Sequence, residues 1–319
     1  MTPNRRTSEN GLSEVVGFVL ILGVLVAAMS LWMMYMVPVN GREDEITQMN
    51  AVKDRFTDYK MSLDSLWINN DPDGVSHSGV TISTAFNLGI GGGNTQASGL
   101  FLPLLKPVAS SASLSLKDEG DTMNITSGGG STNMDSIYDM SILEYQSRNN
   151  YWLQQRYYYQ SGGVFLAQDI GSTARISPPI SIVNNTETVT LSNSVVIAPI
   201  MLDGGASIGG NGPVRVDSRL KSTPSQIGPE KKSWVNISVT VRDYPTAQMW
   251  NATFVDAINN GGITDNSWYK SGTSPAGIEP ATAFVYVIGP YTDSSNDVWL
   301  TIHPAEFAVT FNNIASGLT

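Results

Sequence analysis

The chain contains no cysteine among its 319 residues. That excludes disulfide staples, thiolate metal sites and cysteine nucleophiles. Histidine is almost absent too. The two present, His77 and His303, lie far apart, and no His-x-x-x-His or other ligand spacing occurs. Charge is sparse, at 14% Asp, Glu, Lys and Arg, against about 25% in an average soluble domain. Basic residues are the scarcer kind, 18 against 28 acidic, for a net charge of −10. Such a surface repels phosphate backbones, so the chain is expected to have no nucleic-acid partner. No Gly-rich stretch is followed by Lys-Ser/Thr, and no Gly-x-Ser-x-Gly elbow appears. Neither a catalytic constellation nor a cofactor motif is legible. The chain reads as a non-enzyme without metal or cofactor.

What is present begins with one long apolar run. From Val15 to Val39 no residue is charged. At about 1.5 Å per residue, these 25 positions can cross a ~30 Å hydrocarbon core with some tilt. The run is too long for a cleaved secretory signal, and Pro38-Val39-Asn40-Gly41 is a poor Ala-x-Ala match. Trp32 and Tyr35 fall toward its far end, where amphipathic rings favour the membrane interface. Arg5 and Arg6 precede the span and Arg42 follows it. That imbalance places the N-terminus inside and the larger part of the chain outside. Gly23 and Ala27 form a small-xxx-small step on one face, where a neighbouring helix could pack.

The start of the run carries a motif. Arg5-Arg6-Thr7-Ser8-Glu9-Asn10-Gly11-Leu12-Ser13-Glu14-Val15-Val16-Gly17-Phe18 joins a short basic leader to a Gly, an apolar residue, a lone Glu and the hydrophobic stretch. This resembles the class III signal of archaeal type IV pilins and archaellins, especially large archaeal pilin-like surface proteins. The resemblance implies cleavage by a prepilin peptidase between Gly11 and Leu12, with the helix retained in the mature protein. It also implies that Glu14 pairs with the new N-terminal amine of a neighbouring subunit. Two positions depart from the family pattern: Asn10 rather than Lys or Arg precedes Gly11, and Glu14 would be the third mature residue. The specific likeness covers roughly the first 40 residues.

Pro38, Asn40 and Gly41 predict a break or kink after the span. Next, Ile46, Met49, Val52, Phe56, Tyr59, Leu63 and Leu66 recur at steps of three and four, one stripe of an amphipathic helix. Asn69-Asn70-Asp71-Pro72-Asp73-Gly74 then reads as a turn. It partly fits an EF-hand loop, but the twelfth position is Val80 where a bidentate Glu is needed.

Beyond it come short β runs between turn clusters: Gly79–Leu88, Leu114–Leu116, Ile142–Gln146, Gly163–Ala167, Val189–Ile200, Val235–Arg242, Ala283–Ile288, Val298–Ile302 and Phe307–Phe311. Val235, Ile237, Val239 and Val241 alternate with polar residues, the pattern of a half-buried antiparallel strand. Thr246–Ala257 reads as a helix, Gly204–Gly212 as a loop tip, and Tyr291–Asp297 as a hairpin loop.

The expected fold is mainly β. Residues 1–11 form a leader, 12–40 a transmembrane, pilin-type helix and 41–70 an amphipathic stalk helix. Residues 71–319 form a large antiparallel β-sandwich-like head with one short helix. The aromatic stretch Asn150–Tyr159 has two readings, a carbohydrate-binding platform or the alternating residues of a large sheet. Asn124, Asn184, Asn236 and Asn251 open Asn-x-Ser/Thr sequons and are candidate glycosylation sites for an outside domain.

The expected function is that of a cell-surface protein held in the lipid bilayer by a single pass, structural or adhesive. Its expected partners are the bilayer, surface carbohydrate and like subunits in a surface filament. Two alternatives stay open: an envelope ectodomain that never polymerises, and an anchored carbohydrate-active enzyme.

Overall fold

A computed structural model describes residues 6–70, 76–90, 106–129, 133–169, 171–185, 192–223, 226–290 and 298–313. The turn at Asp71–Gly74 and the hairpin loop at Tyr291–Asp297 lie outside the described residues.

The N-terminal helix is uninterrupted. Helix α1 (Arg6–Leu31) passes through one π turn (Trp32–Met36) into helix α2 (Val37–Ile68). Of the break or kink expected at Pro38, the break is absent, and the helix accommodates the proline through the π turn. Proline cannot donate to the preceding turn, and its ring crowds the carbonyl four residues back. The widened turn just before it relieves that crowding: the Val37 N–H bonds to the Trp32 carbonyl, five residues back. From Ser13 to Ile68 the helix is long and apolar enough to cross a membrane, and none of its apolar window is buried within the chain.

Helix α2 behaves oppositely. Met49, Val52, Phe56, Tyr59, Leu63 and Leu66 are all buried, the stripe expected from the spacing, with Ile46 half-buried at its start. Two asparagines end the helix. Asn69 Nδ2 donates to the Ser65 carbonyl, while Asn70 accepts from the His77 N–H and donates to Thr223.

The remainder is mainly β, with 47% of the described residues in strand. Sheet I runs, in spatial order, Thr81–Asn87, Pro213–Ser222, Ala305–Asn313 and Ile200–Asp203. Sheet II is Ile227–Lys232, Val298–Ile302, Ser192–Ile197 and Ile180–Asn185. Sheet III has six strands: Ala206–Gly210, Ser111–Lys117, Ile142–Arg148, Arg156–Gln160, Gly163–Gln168 and Gly171–Ile176. Sheet IV has five: Tyr269–Thr273, Ala281–Ile288, Trp234–Val241, Thr122–Gly128 and Met134–Asp139. Helix α3 (Tyr244–Asn260) starts on Asp243, whose side chain accepts from the Thr246 N–H, and packs on sheet IV.

The four sheets form a propeller-like ring, which corrects the expectation of a simple sandwich. The reason lies in sheet III, which is buried on both faces. Leu143, Tyr145, Tyr157, Tyr159, Val164 and Leu166 join a core with α2 and sheet I. Their neighbours Ile142, Tyr158, Phe165 and Ala167 join a second core with α3, sheet II and sheet IV. A sandwich sheet buries one face and leaves the other wet.

The head is also not wholly antiparallel. Asn193–Ile197 pairs in parallel with Val298–Ile302, and Ile200–Asp203 with Ala305–Ala308. These two neighbouring chain segments pass together from sheet II into sheet I. Each carries a proline at the crossing, Pro199 and Pro304, where no ladder N–H is required.

Candidate functional site

Two surfaces stand out: a collar where the head grips the helix, and the outer face of sheet IV. The collar is built on Gly41, Arg42 and Glu45 at the start of α2. The absence of a side chain at Gly41 lets the Tyr151 ring lie against the helix; a Cβ there would collide with the edge of that ring. One turn on, the Glu45 carboxylate, 1% exposed, accepts from the N–H groups of Asn150 at 2.6 Å and Tyr151 at 2.8 Å. The Arg42 guanidinium sits 4.4 Å from the centre of the Trp152 ring. A second loop is tied in: the Val108 N–H donates to the Tyr151 hydroxyl, and Asn150 Nδ2 to the Ala109 carbonyl. Between these loops and α2 lies an open recess of about 450 Å³ bordered by Asn40, Glu43, Asp44, Lys106 and Pro107.

The collar resolves the Asn150–Tyr159 stretch. Tyr151 and Trp152 grip the helix, while Tyr157, Tyr158 and Tyr159 are buried core of sheet III. The segment offers no open ring platform. Half-buried aromatic side chains also gather on sheet IV, brought together by strand register.

On sheet IV, Val235, Ile237, Val239 and Val241 point inward, so Trp234, Asn236, Ser238 and Thr240 point out. The register places Tyr286 and Phe284 on the same face, opposite Asn236 and Ser238. The Trp234 and Tyr286 rings stack at 5.6 Å. Trp234 lies over Gly128, where an added Cβ would come within 2.6 Å of the indole, and Phe284 lies over Gly272. Glycine floors let both rings lie low along the sheet. The partial burial of Tyr286 raises its phenol above the usual range.

Two sequons interlock on this face. Asn124 is registered with Ser238 and Asn236 with Thr126, so each acceptor stands opposite the other's hydroxyl residue. Asn236 Nδ2 donates to Thr126 Oγ1 at 3.4 Å. Asn184 lies in an edge strand of sheet II and Asn251 on α3. All four are half-buried within regular elements. Gly11 and Leu12 lie within α1, and Glu14 is exposed on it.

A small polar cleft holds two buried carboxylates, Asp121 and Glu144. Asp121 accepts from Gln160 Nε2 at 2.7 Å and from the Arg242 N–H at 3.2 Å, and Gln160 accepts from the Trp250 indole. Burial pushes the Asp121 carboxyl up to about 6; Glu119 and Asp243 push the same way, against the pull of the Gln160 and Arg242 hydrogen bonds. Glu144, 3% exposed, is paired with Lys117 at 2.8 Å and Arg156 at 3.3 Å. The cleft has room for about one water. Its carboxylates are committed to internal partners, which suits a structural polar network better than substrate chemistry. Half-buried His303 donates its backbone N–H to Ile197 at the sheet crossing, and burial lowers its imidazole. Among the described residues no group of three or more His, Asp or Glu is placed to hold a metal ion.

No family model, no curated protein and no solved structure matches this chain.

Proposed function

We propose that the chain is a membrane-anchored cell-surface protein of structural or adhesive role, displaying a β head outside the cell on its N-terminal helix. The observation that carries this reading is the contrast along one helix. From Val15 to Leu31 the apolar side chains of α1 are exposed, with Phe18 at 65% and Val24 at 69%, while the apolar stripe of α2 is consumed by the head. A bare apolar helix of this length needs a lipid or helical environment. The test is fractionation and surface proteolysis of cells producing the full chain. Anchoring outward predicts a carbonate-resistant membrane protein whose head is digested from outside; release by carbonate, or digestion only after lysis, overturns it.

Within that reading, α1 is a pilin-type helix processed between Gly11 and Leu12, and Glu14 receives the Leu12 amine of a like subunit in a surface filament. Exposed Glu14 and the open face at Gly23 support it. Mass spectrometry of the native N-terminus decides the processing step: Leu12 as first residue supports it, an intact leader excludes it. Electron microscopy of the cell surface decides polymerisation against the alternative of a single anchored ectodomain.

For an adhesive role, the outer face of sheet IV has suitable chemistry for surface carbohydrate. Its stacked rings are interleaved with amides and hydroxyls, and aromatic faces with polar neighbours suit sugar surfaces. Trp234→Ala should abolish any binding to oligosaccharides that intact protein shows, without lowering thermal stability by more than a few degrees.

A further inference from the structure

We infer that the base of the head is itself a lipid-contacting surface, so that the protein rests on the bilayer in which its own helix is anchored. This rests on the anchored reading above and adds to it where the head stands. The distance from Glu14, the last charge before the apolar run, to Gly41, where the collar closes, is about 40 Å along an α-helix. A bilayer with its headgroup layers is about 40–45 Å thick. With Glu14 at one aqueous boundary, the collar therefore lies at the headgroup level of the other. No stalk intervenes, because Tyr151, Asn150 and Trp152 of the head touch α2 at Gly41, Glu45 and Arg42.

The side chains presented at that level fit the lipid interface. Val108 is 66% exposed and Leu153 is 55% exposed, each beside a residue that grips the helix. Exposed apolar side chains so close to a membrane span gain by entering the headgroup layer, at ~25 cal/mol per Å² removed from water. Trp152 stacked on Arg42 is an amphipathic pair, with a ring for the acyl boundary and a cation for phosphate. Arg42 and Lys106 are balanced at the same level by Glu43 and Asp44, so the acidic charge of the whole chain does not repel the bilayer here. The lipid is selected by depth and apolar contact, not by headgroup charge.

The lack of native cysteine permits a direct test in the full-length protein. Val24→Cys, Val108→Cys, Leu153→Cys and Ile68→Cys each introduce one thiol at an exposed site, to be labelled with an environment-sensitive fluorophore. Ile68 is exposed at the far end of α2, about 40 Å from Gly41. Labelled proteins are reconstituted in phosphatidylcholine vesicles carrying nitroxide either at the headgroup or deep in the acyl chain. Position 24 should be quenched by the deep nitroxide. Positions 108 and 153 should be blue-shifted, and quenched by the headgroup nitroxide several-fold more than position 68. If 24 is quenched while 108 and 153 behave like 68, the head stands clear and the inference fails with the anchor intact. If 24 is not quenched, it is the anchored reading that fails. Shielding at 108 and 153 that follows protein density rather than nitroxide assigns the surface to a second copy of this chain and also overturns the inference.

Discussion

Glu45 is a carboxylate nearly out of contact with water, yet the partners of both its oxygens are backbone N–H groups rather than a cation. Charge-assisted bonds of this kind are worth about 1.5–3 kcal/mol each, and removing the acceptor strands buried donors. Glu45→Ala should cost about 2–3 kcal/mol in denaturant titration, and Glu45→Gln about half as much because one acceptor survives. Asp121 has the opposite character. Its carboxyl is pushed up to about 6 in the folded protein, above its unfolded value near 4. Its contribution to stability is therefore full below pH 4 and is lost as pH rises through 6. Allowing for its partial screening, the loss is about 1–2 kcal/mol between pH 4 and 7. The gap between wild-type and Asp121→Asn stability should narrow by that amount over this window. A gap independent of pH would show that the aspartate is ionised throughout.

At the scale of elements, α2 ties the apolar N-terminal helix to the core. Phe56 is fully buried, edge-on to Phe86 at 5.1 Å and stacked on Tyr157 at 6.3 Å. Phe56→Ala should destabilise the head by about 3–5 kcal/mol, whereas Met61→Ala on the 64%-exposed side of the same helix should stay within about 0.5 kcal/mol. This helix was legible because its stripe is dense and unbroken. So were strands with one buried face, such as Trp234–Val241, and the short apolar run Val298–Ile302. The strands that escaped sequence reading are mostly sheet edges. Met134–Asp139, Gly171–Ile176, Ile180–Asn185, Ala206–Gly210, Ile227–Lys232 and Tyr269–Thr273 each have a partner on one side only. Edge strands tolerate Gly, Pro and charge, which protects against stray pairing and also erases the alternating signal. Hence Gly209 and Gly210 read as loop but sit in a strand, and Ile227–Lys232 hides behind Pro229, Glu230 and two lysines. The run Val189–Ile200 divides between two sheets: its first three residues lie outside the described ones, Ser192–Ile197 belongs to sheet II, and the chain passes into sheet I only after Pro199. Of the candidate surfaces, the collar was hidden because its pairing joins residues about a hundred positions apart. The aromatic face of sheet IV was hidden because Trp234 and Tyr286 meet only through the register of two distant strands.

For the whole molecule, the boundary that matters is the π turn. Residues before it touch only lipid or other helices in the proposed setting, while those after it supply one wall of a core. Helix α2 contributes Met49, Val52, Phe56, Tyr59, Leu63 and Leu66 to the cluster shared with sheets I and III. The Tyr59 hydroxyl also meets Ser218 at 2.9 Å inside it, and burial raises that phenol far above its ordinary value. A chain beginning at Val37 should thus be soluble, with a thermal midpoint within a few degrees of the full protein, since no residue from 13 to 36 is buried against the head. A chain beginning at Asn69 loses one side of that cluster and opens a cavity far larger than any single substitution makes. Sheets II and IV with α3 retain their own core, built largely of residues distant from α2. The Asn69 form should therefore lose near-ultraviolet tyrosine signal and bind hydrophobic dyes while keeping much of its β signal in the far ultraviolet. Full cooperative loss of both signals would instead mean that sheet III, buried on both faces, couples the two cores into one folding unit.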